Sequence, residues 1–325
     1  PTGFAAGVVR GNTLVFTSTT STGDVTDLSL GGTAPNTLVM SDTVFVDSSL
    51  VAATPATTVE GGVTYDVYTD PNNSSVLLRV DKAADVVQVV NVATGSSNTP
   101  QAGTQLVRGN SGSNTLDGGA GADILKAGAG NDVMVFDAND LLIDGGDDID
   151  SLKAGGDIDL TTVANDRLRN IEAIDLGTSS GNYALTLSDA DVAAMNIDRT
   201  VTVNGGSGDT ARIVGAWQQG STVTENGVNY TLYTLNDATL KVQSGVVVTY
   251  VGSDGRDLLT AGEGNQILDG ASGSDVLNGG AGADVMVGGR GEDVFIYDGA
   301  DGSYTGGIAG GLDNENDTVK LDRKS

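Results

Sequence analysis

The side chains available for chemistry in this sequence are carboxylates. Its 325 residues include 37 Asp and only 6 Glu, with neither His nor Cys. Zinc sites built from Cys and His, cysteine proteases and Ser-His-Asp hydrolases each need a side chain that is missing, so these classes are excluded. Short carboxylates concentrated in loops point instead to hard cations bound by oxygen. We therefore expect a metal-binding protein that is not an enzyme.

Charge and hydropathy exclude two further classes of partner. Against 43 Asp and Glu there are 16 Lys and Arg, which gives a formal net charge of −27. A field of this sign repels phosphate backbones, so we expect no nucleic-acid partner, and anionic membrane surfaces are disfavoured for the same reason. No apolar stretch approaches 18 residues, so no membrane span is predicted.

Many of the aspartates recur in two uninterrupted runs of five nonapeptides, at 109–153 (the first run) and 252–296 (the second run). Both runs follow the template G-G-x-G-x-D-x-U-x, in which U is a large apolar residue. A flexible Gly/Asp linker would not hold an apolar residue at every ninth place, so an ordered repeat is predicted. The ten eighth-position residues are Leu116, Leu125, Met134, Ile143, Leu152, Leu259, Leu268, Leu277, Met286 and Phe295.

The template has a direct physical interpretation. Its first six residues suit a tight turn, because Gly can adopt positive φ, and the remaining three suit a short strand with U pointing inward. Two units then complete one flattened coil of eighteen residues, and residue i stacks on residue i+18 at the β-sheet spacing of about 4.8 Å. This predicts an all-β fold of parallel solenoid segments.

Stacked coils collect the sixth-position side chains into files along the two edges. In the first run the files are Asn114, Asp132 and Asp150 on one edge and Asp123 and Leu141 on the other; in the second run they are Asp257, Asp275 and Asp293, and Gln266 and Asp284. Leu141 and Gln266 are departures that we expect to weaken their slots. A slot here is the space between two stacked turns.

Carboxylates stacked in this way repel one another unless a divalent cation lies between them. Calcium fits best, because it accepts six to eight oxygen ligands in flexible geometry. Three slots in each run predict about six Ca²⁺ ions, with folding and binding as one event. The strongest slots are expected between Asp132 and Asp150, between Asp257 and Asp275, and between Asp275 and Asp293.

This pattern resembles the repeats-in-toxin (RTX) family, whose nonapeptides form a calcium-loaded, right-handed parallel β-roll. The resemblance implies that backbone carbonyls at template positions two and four join the sixth-position side chains as calcium ligands. It also implies export by a type I secretion system and folding outside the cell. The glycines so implied are Gly119, Gly121, Gly128, Gly130, Gly255, Gly262, Gly264, Gly273, Gly280, Gly282, Gly289 and Gly291.

The chain outside the runs contains a longer repeat. The segment 58–69, with Tyr65 and Tyr68, matches 222–234, with Tyr230 and Tyr233. One cassette, a β-rich module followed by a repeat run, is therefore used twice. We expect a β-rich module at 1–107, a β-roll at 108–160, a β-solenoid or β-rich spacer module at 161–250, a second β-roll at 251–298, and the start of a capping or secretion region at 299–325.

Three local features favour structural roles. The four repeated tyrosines could stack on carbohydrate, but packing is the preferred interpretation, and the same holds for Trp217. The stretch 177–181 matches G-x-S-x-G, yet without His to activate Ser179 it is interpreted as a turn. A short helix is predicted at 189–195 with Ser188 as its N-cap, and 167–176 is predicted to continue the solenoid of the first run.

The expected function is a calcium-binding structural segment of a secreted bacterial RTX protein, most similar to the C-terminal region of a large cell-surface adhesin. Its expected partners are calcium, the secretion machinery, and surface glycans or other copies of the chain. A surface-layer lattice protein and the export domain of a secreted enzyme are the alternatives.

Overall fold

The computed structural model describes residues 86–177 and 182–297, together with the separate strands at 8–81 and the strand at 318–321. Ser179 and most of the predicted C-terminal region at 299–325 lie outside these residues. The chain divides into two compact units. Unit 1 contains the described residues up to Ala129 together with Asn139–Leu141, and unit 2 contains Gly130–Ala138 and the described residues from Leu142 onward.

Unit 1 contains thirteen described strands, twelve of which form three groups of hydrogen-bonded neighbours within the unit. The hydrogen-bonded orders within this unit are β1-β2-β3-β7-β6-β5, β13-β10-β8-β4 and β12-β9. The strands are β1 (Val8–Arg10), β2 (Thr13–Val15), β3 (Asn36–Met40), β4 (Val44–Asp47), β5 (Ala56–Glu60), β6 (Val63–Asp70), β7 (Asn73–Asp81), β8 (Val86–Asn91), β9 (Gln101–Ala102), β10 (Gln105–Arg108), β11 (Thr115–Leu116), β12 (Gly119–Ala120) and β13 (Ile124–Ala129).

Unit 2 contains the remaining described strands, one short 3-10 helix at Leu160–Thr162 and one α-helix, α1 (Asp189–Met195). The strands are β14 (Val133–Val135), β15 (Leu142–Asp147), β16 (Ser151–Lys153), β17 (Ile158–Asp159), β18 (Leu168–Arg169), β19 (Ala173–Asp175), β20 (Ala184–Ser188), β21 (Thr200–Asn204), β22 (Thr210–Val214), β23 (Gln218–Glu225), β24 (Val228–Leu235), β25 (Ala238–Gln243), β26 (Val247–Val251), β27 (Leu258–Thr260), β28 (Ile267–Asp269), β29 (Val276–Asn278), β30 (Val285–Val287), β31 (Val294–Tyr297) and β32 (Thr318–Leu321).

The strands of the second run stack in parallel with the predicted offset. Leu259 pairs with Leu277 and Leu277 with Phe295 on one side of the coil, and Leu268 pairs with Met286 on the other. All ten eighth-position side chains of the two runs are buried, with at most 2% of their surface exposed. The predicted all-β architecture of stacked parallel coils is therefore confirmed, with the eighth-position residues forming the core.

Parallel stacking in unit 2 extends through the spacer between the runs. One series of neighbours is β14-β16-β19-β21-β25, and a second is β17-β20-β22-β26-β28-β30. The coils of the spacer are longer and unequal, since Leu152 pairs with Ile174 and Val201 pairs with Leu240. The second series enters the second run without a break, because Tyr250 pairs with Leu268. The prediction that 167–176 continues the solenoid is confirmed by β18 and β19.

The repeated tyrosine segments form the same structural element in each unit. In unit 1, β6 lies antiparallel to β5 and β7, with Tyr68 opposite Leu78. In unit 2, β24 lies antiparallel to β23 and β25, with Tyr233 opposite Leu240. Each antiparallel hairpin is thus inserted beside a parallel sheet. We call β23 and β24 the spacer hairpin.

Packing explains the aromatic side chains of unit 2 that lie near the spacer hairpin. Trp217 is fully buried, and its Nε1 donates to the carbonyl of Val214 at 3.0 Å. Tyr233 is 4% exposed and meets Tyr250 edge to face, with ring centroids 6.2 Å apart. A ring buried to this degree does not offer a flat surface to a sugar, so the preferred packing interpretation holds for Trp217 and Tyr233.

The short helix occurs where the sequence predicts it. Ser188 is the N-cap of α1, and its hydroxyl accepts from the backbone N–H of Asp191 while the Asp191 carboxylate accepts from the backbone N–H of Ser188. This reciprocal arrangement satisfies two otherwise unbonded N–H groups at the start of the helix. Across the described residues, no helix is long and apolar enough to cross a membrane.

Close stacking of the turns depends on glycine at the fourth template position. Gly273 has φ of +143°, and a Cβ placed there would overlap the carbonyl oxygen of Gly255 in the preceding coil. Gly291 stands in the same relation to Gly273.

The backbone conformation of the turns also persists where glycine is replaced, since Ala271 and Asp148 keep positive φ values of 68° and 82°. The stack, rather than the local residue, therefore determines the backbone conformation.

Replacing Gly273 with Ala should destabilise the second run by at least about 2 kcal/mol, because positive φ and steric overlap both act against the new methyl group. The measurement is denaturant unfolding followed by the fluorescence of Trp217. Gly255→Ala is the matched control, because Gly255 holds the same template position without positive φ and without a close neighbour. Equal free energies of unfolding for the two variants would contradict the stacking argument.

Candidate metal centres

The sixth-position side chains form a ladder of hydrogen bonds from coil to coil. In each step, a backbone N–H donates to the Oδ1 atom of the aspartate eighteen residues later. Within unit 2 the steps are Asp132 N to Asp150 Oδ1 at 2.8 Å, Asp257 N to Asp275 Oδ1 at 2.8 Å, Gln266 N to Asp284 Oδ1 at 2.8 Å and Asp275 N to Asp293 Oδ1 at 2.9 Å. Each carboxylate therefore turns one oxygen toward the backbone.

Two of these carboxylates carry an oxygen that no described residue satisfies. The side chains of Asp150 and Asp275 are fully buried, and their Oδ2 atoms have no hydrogen-bond partner in the described part of the chain. Both residues belong to slots that the sequence predicts to be strongest. A buried anionic oxygen without a donor is costly, so each of these positions favours a cation.

The electrostatics of the two carboxylates agree with their burial. Desolvation raises the pKa of Asp150 to about 7, and the negative charges of Asp132, Glu172 and Asp148 add to the rise, while the hydrogen bond from the Asp132 backbone opposes it. Desolvation likewise raises the pKa of Asp275, with further contributions from Asp293 and Asp257. A divalent cation between the coils would remove both causes, because it replaces lost hydration and neutralises the like charges.

Side chains alone would not complete such a site. Within the described residues, no three carboxylates lie close enough together to hold a metal ion. Any ion must therefore take most of its oxygens from the backbone, which is the donor set that the RTX resemblance implies and that calcium accepts. Ten of the twelve implied glycines have positive φ, and Gly255 and Gly262 are the exceptions. The fit is to calcium rather than to a metal that needs imidazole or thiolate.

Two carboxylates outside the template join the ladder, and sequence reasoning missed both. Leu141 is 49% exposed, and its neighbour Asp140 is buried and accepts from the backbone N–H of Asp123 at 3.2 Å. A shift of one residue thus restores the carboxylate that Leu141 was expected to remove from this slot. In the spacer, Glu172 Oε2 accepts from the backbone N–H of Asp150 at 2.9 Å. Glu172 lies 22 residues after Asp150 rather than eighteen, and its longer side chain still reaches the Asp150 backbone.

Amide side chains replace carboxylates at the upstream end of the first run. Gln105 occupies a sixth position ahead of the run, and its Nε2 donates to the carbonyls of Gly118 at 2.6 Å and Gln101 at 3.0 Å. Asn114 is engaged at both ends of its amide, since Oδ1 accepts from Asn110 N at 3.0 Å and Nδ2 donates to the Ala93 carbonyl at 2.7 Å. These N–H groups thus donate to backbone carbonyls of neighbouring turns.

A further amide links neighbouring turns in the same region. Asn98 Nδ2 donates to the carbonyl of Asp117 at 2.6 Å, and its Oδ1 accepts from the backbone N–H of Asp117 at 2.8 Å. Together with Gln105 and Asn114, this residue joins neighbouring turns through direct hydrogen bonds. We name these three residues the amide cluster.

Comparison with known families agrees with this geometry. The family model described as RTX calcium-binding nonapeptide repeat (4 copies) matches this chain at residues 102–140, 249–276 and 260–295, of which the last two overlap. The matched stretches contain the ladder residues Asp123 and Asp132 of the first run and Asp257 to Asp293 of the second run, whereas Asp150 lies beyond them. They are RTX repeats, as the sequence pattern predicts. No curated protein matches the chain.

Without calcium, unit 2 should lose stability as the pH rises. The folded-state pKa of Asp150, about 7, lies above its ordinary value of 3.8, so the folded state retains a proton that the unfolded chain releases. The free energy of unfolding therefore falls between about pH 4 and pH 7. In chelator, Trp217 fluorescence should report a larger folded fraction at pH 5 than at pH 8.

Asp150→Asn should reduce that pH dependence and raise the stability of the metal-free protein at pH 8, while weakening its response to calcium. Asp147→Asn is the comparison variant, because Asp147 is an exposed aspartate of the same turn. Equal stability of the wild-type protein in chelator at pH 5 and pH 8 would contradict the raised pKa of Asp150.

The amide cluster should keep the upstream turns folded when calcium is removed. In chelator, we expect backbone amides of residues 98–118 to exchange with deuterium more slowly than those of 257–285. Asn98→Ala, which deletes two hydrogen bonds, should cost about 1–3 kcal/mol in this region. The control is Ser111→Ala, since Ser111 is exposed. Equally fast exchange in both stretches would contradict a metal-independent role for the amides.

Proposed function

From its two stretches of RTX calcium-binding repeats, we propose that this chain is a calcium-folded structural segment of a secreted protein. The observation that carries the proposal is the pair of fully buried carboxylates, Asp150 and Asp275, whose Oδ2 atoms lack a hydrogen-bond partner within the described residues. Calcium held between coils would be coordinated by such oxygens and by the carbonyls of the turn glycines. About six ions would occupy the two runs.

Calcium would act in this protein as a condition for folding. Each carboxylate is an acceptable group in the unfolded, hydrated chain, and it becomes unfavourable when the coils stack and exclude water. Ions that bind only the stacked form shift the equilibrium toward it by mass action. The carboxylate-lined coils would consequently stay unfolded where free calcium is scarce and fold where calcium is plentiful.

This dependence suits a protein that folds outside the cell. Sites of the extracellular class bind calcium with dissociation constants of about 10⁻⁴–10⁻³ M. With such affinities the runs would stay empty at low cytoplasmic calcium and fill after export. We propose that the chain is exported by a type I secretion system and resides outside the cell or on its surface.

A structural role on the cell surface accounts best for the repeated cassette. The same hairpin element occurs beside a parallel sheet in both units. Repetition of a module adds length and contact surface, as solenoid proteins do. We therefore propose a segment of a cell-surface adhesin, in which the runs and the spacer set the reach of the molecule. Its partners there would be surface glycans or further copies of the chain.

The test of calcium-coupled folding is the variant Asp275→Asn. Asp275 belongs to two successive slots, because it accepts from Asp257 N and its own N–H donates to Asp293. Removing its charge should raise the calcium concentration at the folding midpoint by about tenfold or more, given how strongly ligand charge sets calcium affinity. Circular dichroism during titration from chelator to millimolar calcium measures the midpoint.

Asp254→Asn is the matched control, since Asp254 is an exposed aspartate of the same run, and its midpoint should equal that of the wild type. Magnesium should not replace calcium in either protein, because it requires a tighter octahedral site. A wild-type spectrum that is already complete in chelator, or an Asp275→Asn midpoint equal to the wild-type value, would refute the proposal.

A further inference from the structure

The spacer hairpin reaches the first coils of the second run and encloses a cavity there. The cavity has a volume of about 360 Å³. Gln219 and Tyr233 of the hairpin line one part of it, Val246 of the preceding coil lines another, and Glu263 and Gln266 of the second run line the rest. The cavity lies between Gln266 and the preceding coil. That coil has no carboxylate at the position eighteen residues before Gln266. We call this space the hairpin cavity.

Two glutamine amides in this cavity have their orientation determined by one carbonyl. Gln219 Nε2 donates to the carbonyl of Glu263 at 3.1 Å, and Gln266 Nε2 donates to the same oxygen at 2.8 Å. Reversing either amide would place its oxygen against that carbonyl. Gly262 permits the approach of Gln219, because a Cβ at that position would meet Gln219 Oε1 at 2.8 Å.

The two amide oxygens are left without donors. Gln266 is only 7% exposed, and neither its Oε1 nor that of Gln219 has a hydrogen-bond partner among the residues that the structure describes, although both atoms are buried. Both atoms can only accept, so whatever completes this cavity must present positive charge or hydrogen-bond donors. The nearby charged group, Glu263, is acidic and lines the same cavity. An anion or an apolar ligand does not fit this environment.

We propose that the hairpin cavity binds a divalent cation, Ca²⁺, through Gln219 and Gln266. Amide oxygens, backbone carbonyls and a carboxylate form a ligand set that calcium accepts. The site differs from the slots of the runs because one ligand, Gln219, comes from the spacer hairpin rather than from a nonapeptide. Its occupation would attach the hairpin to the start of the second run.

The experiment counts calcium ions per chain by native mass spectrometry, with equilibrium dialysis as a second measurement. Gln219→Leu should bind one ion fewer than the wild type. Gln218→Leu should bind the wild-type number, since Gln218 is the adjacent, exposed residue of the same strand. Magnesium alone should not fill the site. Equal ion counts for Gln219→Leu and the wild type, with both proteins folded, would overturn the proposal.

A second variant keeps the proposal falsifiable if Gln219→Leu does not fold. Gln219→Glu retains an oxygen ligand and adds a negative charge. The hairpin cavity of this variant should therefore bind calcium about tenfold more tightly, because ligand charge tunes calcium affinity. Unchanged affinity in Gln219→Glu would count against the site. A wild type that binds no calcium would instead refute the proposed function of the runs, so the two failures are distinguishable.

Discussion

Stacking acidic turns at the spacing of a β-sheet forces carboxylates into buried positions one above another. Most features of this chain depend on how the cost of burying these charges is offset. In the ladder of unit 2, the backbone N–H one coil earlier donates to one oxygen of Asp150, Asp275, Asp284 and Asp293. The other oxygen of Asp150 and of Asp275 has no donor among the described residues. Burial raises the pKa of both side chains, so the same packing that forms the core creates the demand for a cation.

The chain meets this demand in two chemically distinct ways. At the upstream end of the first run, the side-chain amides of Gln105, Asn114 and Asn98 donate hydrogen bonds to turn carbonyls. The partial positive charge that these carbonyls face is therefore that of an N–H group. In the later coils, aspartates hold the corresponding positions and leave oxygens exposed to the slot. An amide gives a connection that is always present, whereas a carboxylate gives one that depends on calcium.

Continuity of the parallel stack explains how modules of unlike sequence cooperate in unit 2. The spacer lacks the nonapeptide pattern, yet its strands pair in parallel up to Tyr250 and Leu268 in the second run. Its coils accommodate insertions, α1 and the spacer hairpin, without interrupting the inward-facing apolar residues. Glu172 extends the carboxylate ladder into this longer coil. Side-chain length therefore compensates for a change in coil length.

The sequence by itself determined the coil and its contents. A nine-residue period with Gly, Asp and an apolar residue in set places permits one compact arrangement, so the core positions, the parallel offset in the second run and the acidic edges follow from local pattern alone. Tertiary structure decided the exceptions. Asp140 replaces Leu141 through a shift of one residue, Glu172 joins from outside the repeat, and Gln219 arrives from a hairpin distant in sequence. These contacts form between segments with different repeat lengths, so a single nonapeptide template does not predict them.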